Sequence, residues 1–367
     1  MGILDTGVKN VANVPRYTIG SGSIQELERI LHARRSQAKG PVIALVDEFF
    51  SEYKTNPAHL NLTKDDHVCV VSTTHEPTTD GVDAIFDNLK SHGITSPSAI
   101  IGLGGGITMD TAKAISNLFN NPGNAETYQG WDLVKTPGVY KIGIPTISGT
   151  GAEATRTCVM TNKKTGLKMG MNSEFTVFDQ LLMDPDLTVT VPRNQYFYTG
   201  MDAYIHCIEA LSGHYRNAIG DALSRETINL CKLVFGGQDM MSPASRERLM
   251  VASYMGGCAI ATSYVGLVHP FSAGLSVVLG MHHCVANCVV MRAMREFYPR
   301  EYDEFWLLAE TQGVEVPKGV CNGLTAEQYE QLYLATIIHQ KSLTNALGDE
   351  YSNILTRDKV LRIFSLM

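Results

Sequence analysis

No stretch of this chain approaches eighteen uninterrupted apolar residues, so nothing in it reads as a membrane span. Basic residues are scattered without a long run, and 30 Lys and Arg face 37 Asp and Glu, a formal charge of −7. That balance argues against nucleic acid as a partner. The opening MGILDTGVKN lacks the charged and apolar regions of a secretory signal. It fits Met-Gly-x-x-x-Thr, but no polybasic patch follows to supply the second signal that stable membrane anchoring needs. Nor is there a C-x2-C pair among the cysteines at 69, 158, 207, 231, 258, 284, 288 and 321, most of which sit in apolar stretches. Reduced, buried thiols in a cytoplasmic protein are expected, and a disulfide framework is not.

What remains is a chain of 367 residues with 44% hydrophobic content, enough for a large core in two domains. Its first half alternates strand and helix signals: VPRYTIG as an edge strand, a helix around SIQELERILHARR, then the apolar runs PVIALVD, HVCVVST and SAIIGLGGG, with a helix near GVDAIFDNLKSHG. Apolar runs separated by helices indicate a parallel, doubly wound sheet. Beyond about residue 185 helical patterns dominate, and DPDLTVTVP, with Pro185 and Pro192 at its ends, marks the boundary. The expected architecture is an α/β Rossmann-like domain over residues 1–186 and an all-α domain over 187–367, with a cleft between them.

Three segments carry chemistry. IIGLGGGITMDTAK runs from a strand through Gly102, Gly104, Gly105 and Gly106 into a helix, with Thr108 as its expected N-cap and Asp110 and Thr111 in its first turn. Glycines at such a turn let backbone amides and the helix dipole approach a phosphate. The spacing is neither G-x-G-x-x-G, because Ile107 stands where the third glycine would be, nor a P-loop. Asp47, at the tip of PVIALVD, is placed to bind the ribose hydroxyls of NAD and to repel the extra phosphate of NADP. In IGIPTISGTGAEATR, Thr146, Ser148 and Thr150 offer hydroxyls to a pyrophosphate or nicotinamide.

The third is TGMDAYIHCIEALSG. Asp202 and His206 are four apart, one helical turn, with Thr199 expected to cap the helix and Gly213 to end it. Two further histidines, His269 and His283, would complete a carboxylate-plus-three-imidazole set suited to Fe(II) or Zn(II) and poor for Mg or Ca. An Asp-x3-His pair alone is more often a solvated helix face; the surrounding segments decide the matter.

Taken in order, GGGITMDTAK, PTISGTGAEAT, DPDLTVTVPRNQYFYTGMDAYIHCIEA and GLVHPFSAGL…MHHCVAN resemble the iron-containing (group III) alcohol dehydrogenase family over most of residues 10–300. The resemblance implies a dehydroquinate synthase-like fold, NAD, and Fe(II) or Zn(II) held by Asp202, His206, His269 and His283. His283 is preferred to His282 because it precedes Cys-Val-Ala-Asn at the family spacing. Gly104, Gly105, Gly106 and Asp110 match the dinucleotide motif, Thr146, Gly149 and Thr150 the second loop, and Lys168 is a further cofactor contact. A histidine that many members carry four residues after the third ligand is here Ala273, so no general base is assigned. Glu209, one turn from His206, is either a partner that orients a ligand or a helix-surface residue, and the second reading is preferred.

The implied reaction is oxidation of a primary alcohol to an aldehyde by an enzyme that is a homodimer or larger. Within the family, YVGLVHPFSAGLSVVLGMHHCVANCVVM most resembles members acting on an acidic sugar, the terminal hydroxymethyl group of 3-deoxy-D-manno-octulosonate (Kdo), in lipopolysaccharide biosynthesis. There a pathway aminotransferase follows, and Arg156 or Arg193 would face the sugar carboxylate. A generic dehydrogenase of butanol, propanediol or glycerol, and a dehydroquinate synthase-like lyase, stay open.

Overall fold

The apolar runs become buried strands. In a computed structural model describing residues 11–50 and 60–367, the strands are β1 (Tyr17–Ile19), β2 (Val42–Asp47), β3 (His67–Val71), β4 (Ala99–Gly104), β5 (Gly130–Trp131), β6 (Lys141–Pro145), β7 (Thr157–Asn162), β8 (Leu167–Asn172) and β9 (Gln180–Met183). The Met-Gly-x-x-x-Thr match lies outside the described residues. Six strands form one parallel sheet in the order β1-β9-β6-β4-β2-β3, with VPRYTIG supplying its edge as expected. Every residue of β2, β4 and β6 is buried, as parallel strands covered on both faces must be.

Two helices show how the faces are covered. On one side, Leu27, Ile30 and Leu31 of α1 (Leu27–Gln37) join a core with Val42, Ala44, Val46, Ile101, Leu103 and Ile144. Each such aliphatic side chain contributes about 1.5–3 kcal/mol on burial. The helix α2 (Thr79–Ser91) meets α3 (Gly106–Asn120) edge to face through Phe86 and Phe119, ring centroids 5.0 Å apart. α3 itself lies close on the sheet because Gly102 and Gly143 are paired neighbours in β4 and β6. A Cβ at Gly102 would stand 2.8 Å from the Ala112 Cβ, and one at Gly143 2.8 Å from the Met109 Cε.

A second sheet, β5-β8-β7, is absent from the sequence-based expectation. Its hairpin, VMTNKKTGLKMG, carries the alternating burial of a half-covered strand pair and turns at Gly166, φ +66°. The signal was present but short, and its lysines masked the alternation.

The chain divides into two compact units: Ala12–Ile147 with Ala152–Thr190, and Ser148–Gly151 with Val191–Met367. The second is helical: α4 (Arg193–Ser212), α5 (Ala218–Phe235), α6 (Pro243–Ser263), α7 (Val268–Leu279), α8 (His283–Val290), α9 (Pro299–Gln312), α10 (Ala326–Ile337), α11 (Gln340–Leu347), α12 (Tyr351–Ile354) and α13 (Arg357–Phe364). No strand follows Met183 among the described residues. α4 is its axis, since every residue from Thr199 to Ala210 is buried. Thr199 does not cap this helix. Pro192 occupies the N-cap, φ −58°, so the helix starts two turns earlier and Thr199 Oγ1 instead accepts from Gln195 Nε2 at 2.8 Å. Gly213 ends it, as expected.

The unit holding the sheet also buries a lysine completely. Lys113 Nζ donates to the Thr155 carbonyl at 3.0 Å, its Oγ1 at 3.2 Å and the Thr157 carbonyl at 2.7 Å, and lies 3.7 Å from Asp110. Burial depresses its pKa, and Asp110 opposes that shift. Lys113→Ala would strand these acceptors and a buried carboxylate, so denaturant unfolding should show a loss of about 3–5 kcal/mol. A loss under about 1 kcal/mol, the scale of an exposed ion pair, would contradict this account.

Candidate metal centre and glycine turn

Three helices deliver the proposed ligands. Asp202 and His206 lie one turn apart on the buried axis of α4, His269 is the second residue of α7, and His283 is the first of α8. The reversal between α6 and α7, a bend of 106°, aims His269 inward. It runs through Tyr264, which takes φ +63°, ψ 163°, a conformation side chains seldom adopt. Asn345 braces the same turn, donating to the carbonyls of Ser263 and Val265, each at 3.0 Å.

Asp202, His269 and His283 each offer one ligand atom, all within 4.8 Å of one another. Asp202 Oδ1 is 3.4 Å from His269 Nε2 and 3.6 Å from His206 Nε2, and Oδ2 is 3.7 Å from His283 Nε2. The rings of His206 and His269 stack at 4.7 Å. All four expected ligands therefore meet, with His206 flanking the tighter trio. No sequence signal points to Asn287, whereas Cys284 directly follows a proposed ligand; both reach Asp202. Asn287 Nδ2 donates to Oδ1 at 2.6 Å, and the Cys284 thiol to Oδ2 at 3.5 Å.

Electrostatics explain why a carboxylate with no solvent exposure survives here. Burial pushes the Asp202 carboxyl up, but His206, His283 and His269 outweigh it and hold the group well below the usual carboxylate range. Burial drives His206 down to about 4, while Asp202 pulls the other way. Glu209 corrects the sequence expectation. It is fully buried, bonds His269 Nδ1, and accepts from the backbone N–H of Val268 at 2.5 Å. Burial pulls the His269 pKa down, but Glu209 and Asp202 outweigh it and raise it to about 10, with Nδ1 held by Glu209 and Nε2 facing the cluster. α4 is buried all round, so a position three residues past His206 has no solvent to face.

Asp47, Gly104, Gly105, Gly106 and Thr146 gather at the carboxyl ends of β2, β4 and β6. The Asp47 carboxylate accepts from the amides of Phe49, at 3.0 Å, and Gly105; burial raises its pKa against those bonds. Gly104 has φ +159°, and a Cβ there would stand 2.6 Å from the Thr108 Cβ and 2.9 Å from that of Asp47. Thr108 is not the N-cap. The helix begins at Gly106 with Gly105 before it, because the glycine turn closes three residues sooner than a threonine cap requires. Asp110, in the first turns, accepts from the Val159 N–H at 2.9 Å, and Lys168 pairs with Glu76 at 3.2 Å.

Ser148, Gly149 and Thr150 group with the helical unit. The Gly149 N–H donates to Ser253 Oγ at 2.7 Å, and a Cβ on Gly149 would overlap the Thr199 carbonyl, one turn before Asp202. That amide is committed to packing. The two arginines are committed as well: Arg193 donates to the Gln312 carbonyl at 2.8 Å, and Arg156 pairs with Asp132.

Burial pushes the Asp110 carboxyl up to about 6, while Lys113 and the Val159 amide pull the other way. The folded chain therefore binds this proton more tightly than the unfolded chain. Its stabilising contribution is complete below the ordinary value of 3.8 and is lost as pH rises through about 6. Unfolding of wild type and Asp110→Asn compared from pH 4 to 7 should show the balance shifting toward the variant as pH rises. A constant difference would contradict the assignment.

Comparison with known proteins agrees with this geometry. The profile of the iron-containing alcohol dehydrogenases matches residues 15–185, and that of the C-terminal region of the same family matches residues 196–328. A sulfoacetaldehyde reductase of Bilophila wadsworthia is 33% identical over 213 residues, 58% of this chain and 54% of that protein. An NAD-dependent methanol dehydrogenase of Bacillus methanolicus is 33% identical over 236 residues, 63% of this chain and 61% of that protein. The matched stretch thus spans little more than half of each relative's length. An alcohol dehydrogenase from Oenococcus oeni shares the fold, with TM-score 0.82, 19% identity, and 97% of this chain and 98% of that one covered. The two profiles together take in the sheet with its glycine turn and the helices bearing Asp202, His206, His269 and His283, and the chain belongs to the iron-containing alcohol dehydrogenase family.

Proposed function

We propose that this protein is a metal-dependent, NAD-linked dehydrogenase that interconverts a primary alcohol and its aldehyde. The observation that carries the reading is the convergence of Asp202, His269 and His283 beside His206, within a chain of this family. One carboxylate with imidazole nitrogens suits Fe(II), and equally Zn(II). When bound, such an ion supplies Lewis acidity to a substrate hydroxyl and a nicotinamide supplies the hydride acceptor, so that alcohol and NAD+ give aldehyde, NADH and a proton.

The chain's residues prepare that chemistry. Asp202 brings the negative charge, and burial pulls the His206 pKa down to about 4. Glu209 holds Nδ1 of His269 and so orients its ring. The glycine turn exposes amides at a helix N-terminus to phosphate, and Asp47 beside it favours ribose hydroxyls over a 2′-phosphate. Ala273 leaves no imidazole one turn beyond His269, so proton release runs through water, the cofactor ribose or another side chain. The relatives named for methanol and sulfoacetaldehyde support alcohol–aldehyde chemistry, and the former supports NAD. None of the eight cysteines forms a disulfide and seven are buried, which accords with a reducing cytoplasm.

For the substrate we propose the C8 hydroxyl of Kdo, whose aldehyde an aminotransferase would then consume. Its support is the wording of the segment from Tyr264 to Met291. Arg156 and Arg193 add nothing, because both guanidinium groups are already engaged. A generic alcohol dehydrogenase is the second reading, favoured by the methanol-oxidising relative.

Purified protein should contain about one Fe or Zn per chain and form NADH with aldehyde from Kdo. Asp202→Ala and His269→Ala should lose the metal and at least ~100-fold in kcat/KM, the scale of several kcal/mol of lost Lewis-acid stabilisation. Metal-independent turnover would sink the mechanism. Turnover of short alcohols alone would remove only the sugar.

A further inference from the structure

One fully buried polar side chain in the metal cluster has no assigned role. Asn287 lies on α8, one turn past His283, with no solvent exposure. Its Nδ2 donates to Asp202 Oδ1 at 2.6 Å and stands 3.3 Å from His269 Nε2 and 3.2 Å from His283 Nε2. One amino group therefore touches a candidate donor atom on each of three helices, α4, α7 and α8. Its own Oδ1 is buried without a hydrogen-bond partner among the described residues.

From this we infer that Asn287 is the positioning residue of the centre, setting the rotamer of Asp202 and turning the lone pairs of His269 and His283 toward a common point. Three electron-rich atoms repel one another when brought together, and a neutral N–H donor among them offsets that repulsion without adding a competing charge. Aspartate here would set a second carboxylate against Asp202. Leucine of nearly the same bulk would fill the space and hold nothing. The unpaired Oδ1 belongs to the same picture: the side chain is retained for its amino group although half of its hydrogen-bonding capacity goes unused. Glu209 does the corresponding work on the far side of His269. Together they hold the ring from both nitrogens.

This inference rests on reading the cluster as a metal centre, and the test separates the two. Wild type, Asn287→Leu and Asn287→Ala are titrated with Co(II), whose visible absorption reports ligand geometry, and melted in the presence of EDTA. The expected result is a Co(II) affinity lower by about 10–100-fold in both variants. The d–d bands should be altered, while the EDTA melting temperature stays within a few degrees of wild type. Wild-type affinity and spectrum in either folded variant would overturn the role of Asn287 and leave the metal centre standing. A loss of affinity accompanied by an equal collapse of the EDTA melting temperature would also overturn it, as the mark of a packing residue only. Failure of the wild-type chain itself to take up Co(II) would overturn the metal centre, and this inference with it.

Discussion

A carboxylate sealed from water must be compensated, and the helical unit is built around that constraint. Asp202 sits on the buried axis of α4, where an isolated charge would be prohibitively costly. The compensation comes from imidazoles on α4, α7 and α8, with Asn287 and Cys284 bonding its two oxygens. Each of those helices must end or turn in the right place for this to happen. Hence the early proline start of α4, the strained Tyr264 that reverses the chain before α7, and Asn345 bracing that reversal. The outer ring is organised the same way, with Glu209 buried so that His269 faces inward.

The sheet-bearing unit answers a different demand, close approach. Gly102 and Gly143 let α3 settle on the strands, and Gly104 brings Asp47 and Thr108 together beneath the turn. Lys113, sealed under α3, ties that helix to the strand leading into the second sheet. These contacts give the glycine turn a rigid floor.

Much of this was legible in the residues. Strands buried on both faces read as continuous apolar runs, so β2 and β4 stood out, as did the half-buried edge strand β3, and the glycine cluster placed the start of α3 to within three residues. The hairpin β7–β8 did not stand out, because its exposed face carries polar residues in a short run. The clustering of Asp202, His206, His269 and His283 was legible from type and spacing once the neighbouring motifs were considered together. Asn287 was not, and Glu209 only as the less favoured of two readings, since their roles depend on the packing of helices distant in sequence. Glu209 meets a histidine sixty residues away, and Asn287 an aspartate eighty-five away. Thr199 and Thr108 show the limit of capping rules: proline at 192 and glycine at 105 pre-empted both.

The claim on which the account stands is that four side chains, one carboxylate and three imidazoles, form the first shell of a metal. X-ray absorption at the metal K-edge of the Fe- or Zn-loaded protein tests it most directly. The account predicts a shell of nitrogen and oxygen only, with the multiple scattering of the imidazoles of His206, His269 and His283. A sulfur scatterer from Cys284, or an ion surrounded by water alone, would contradict it.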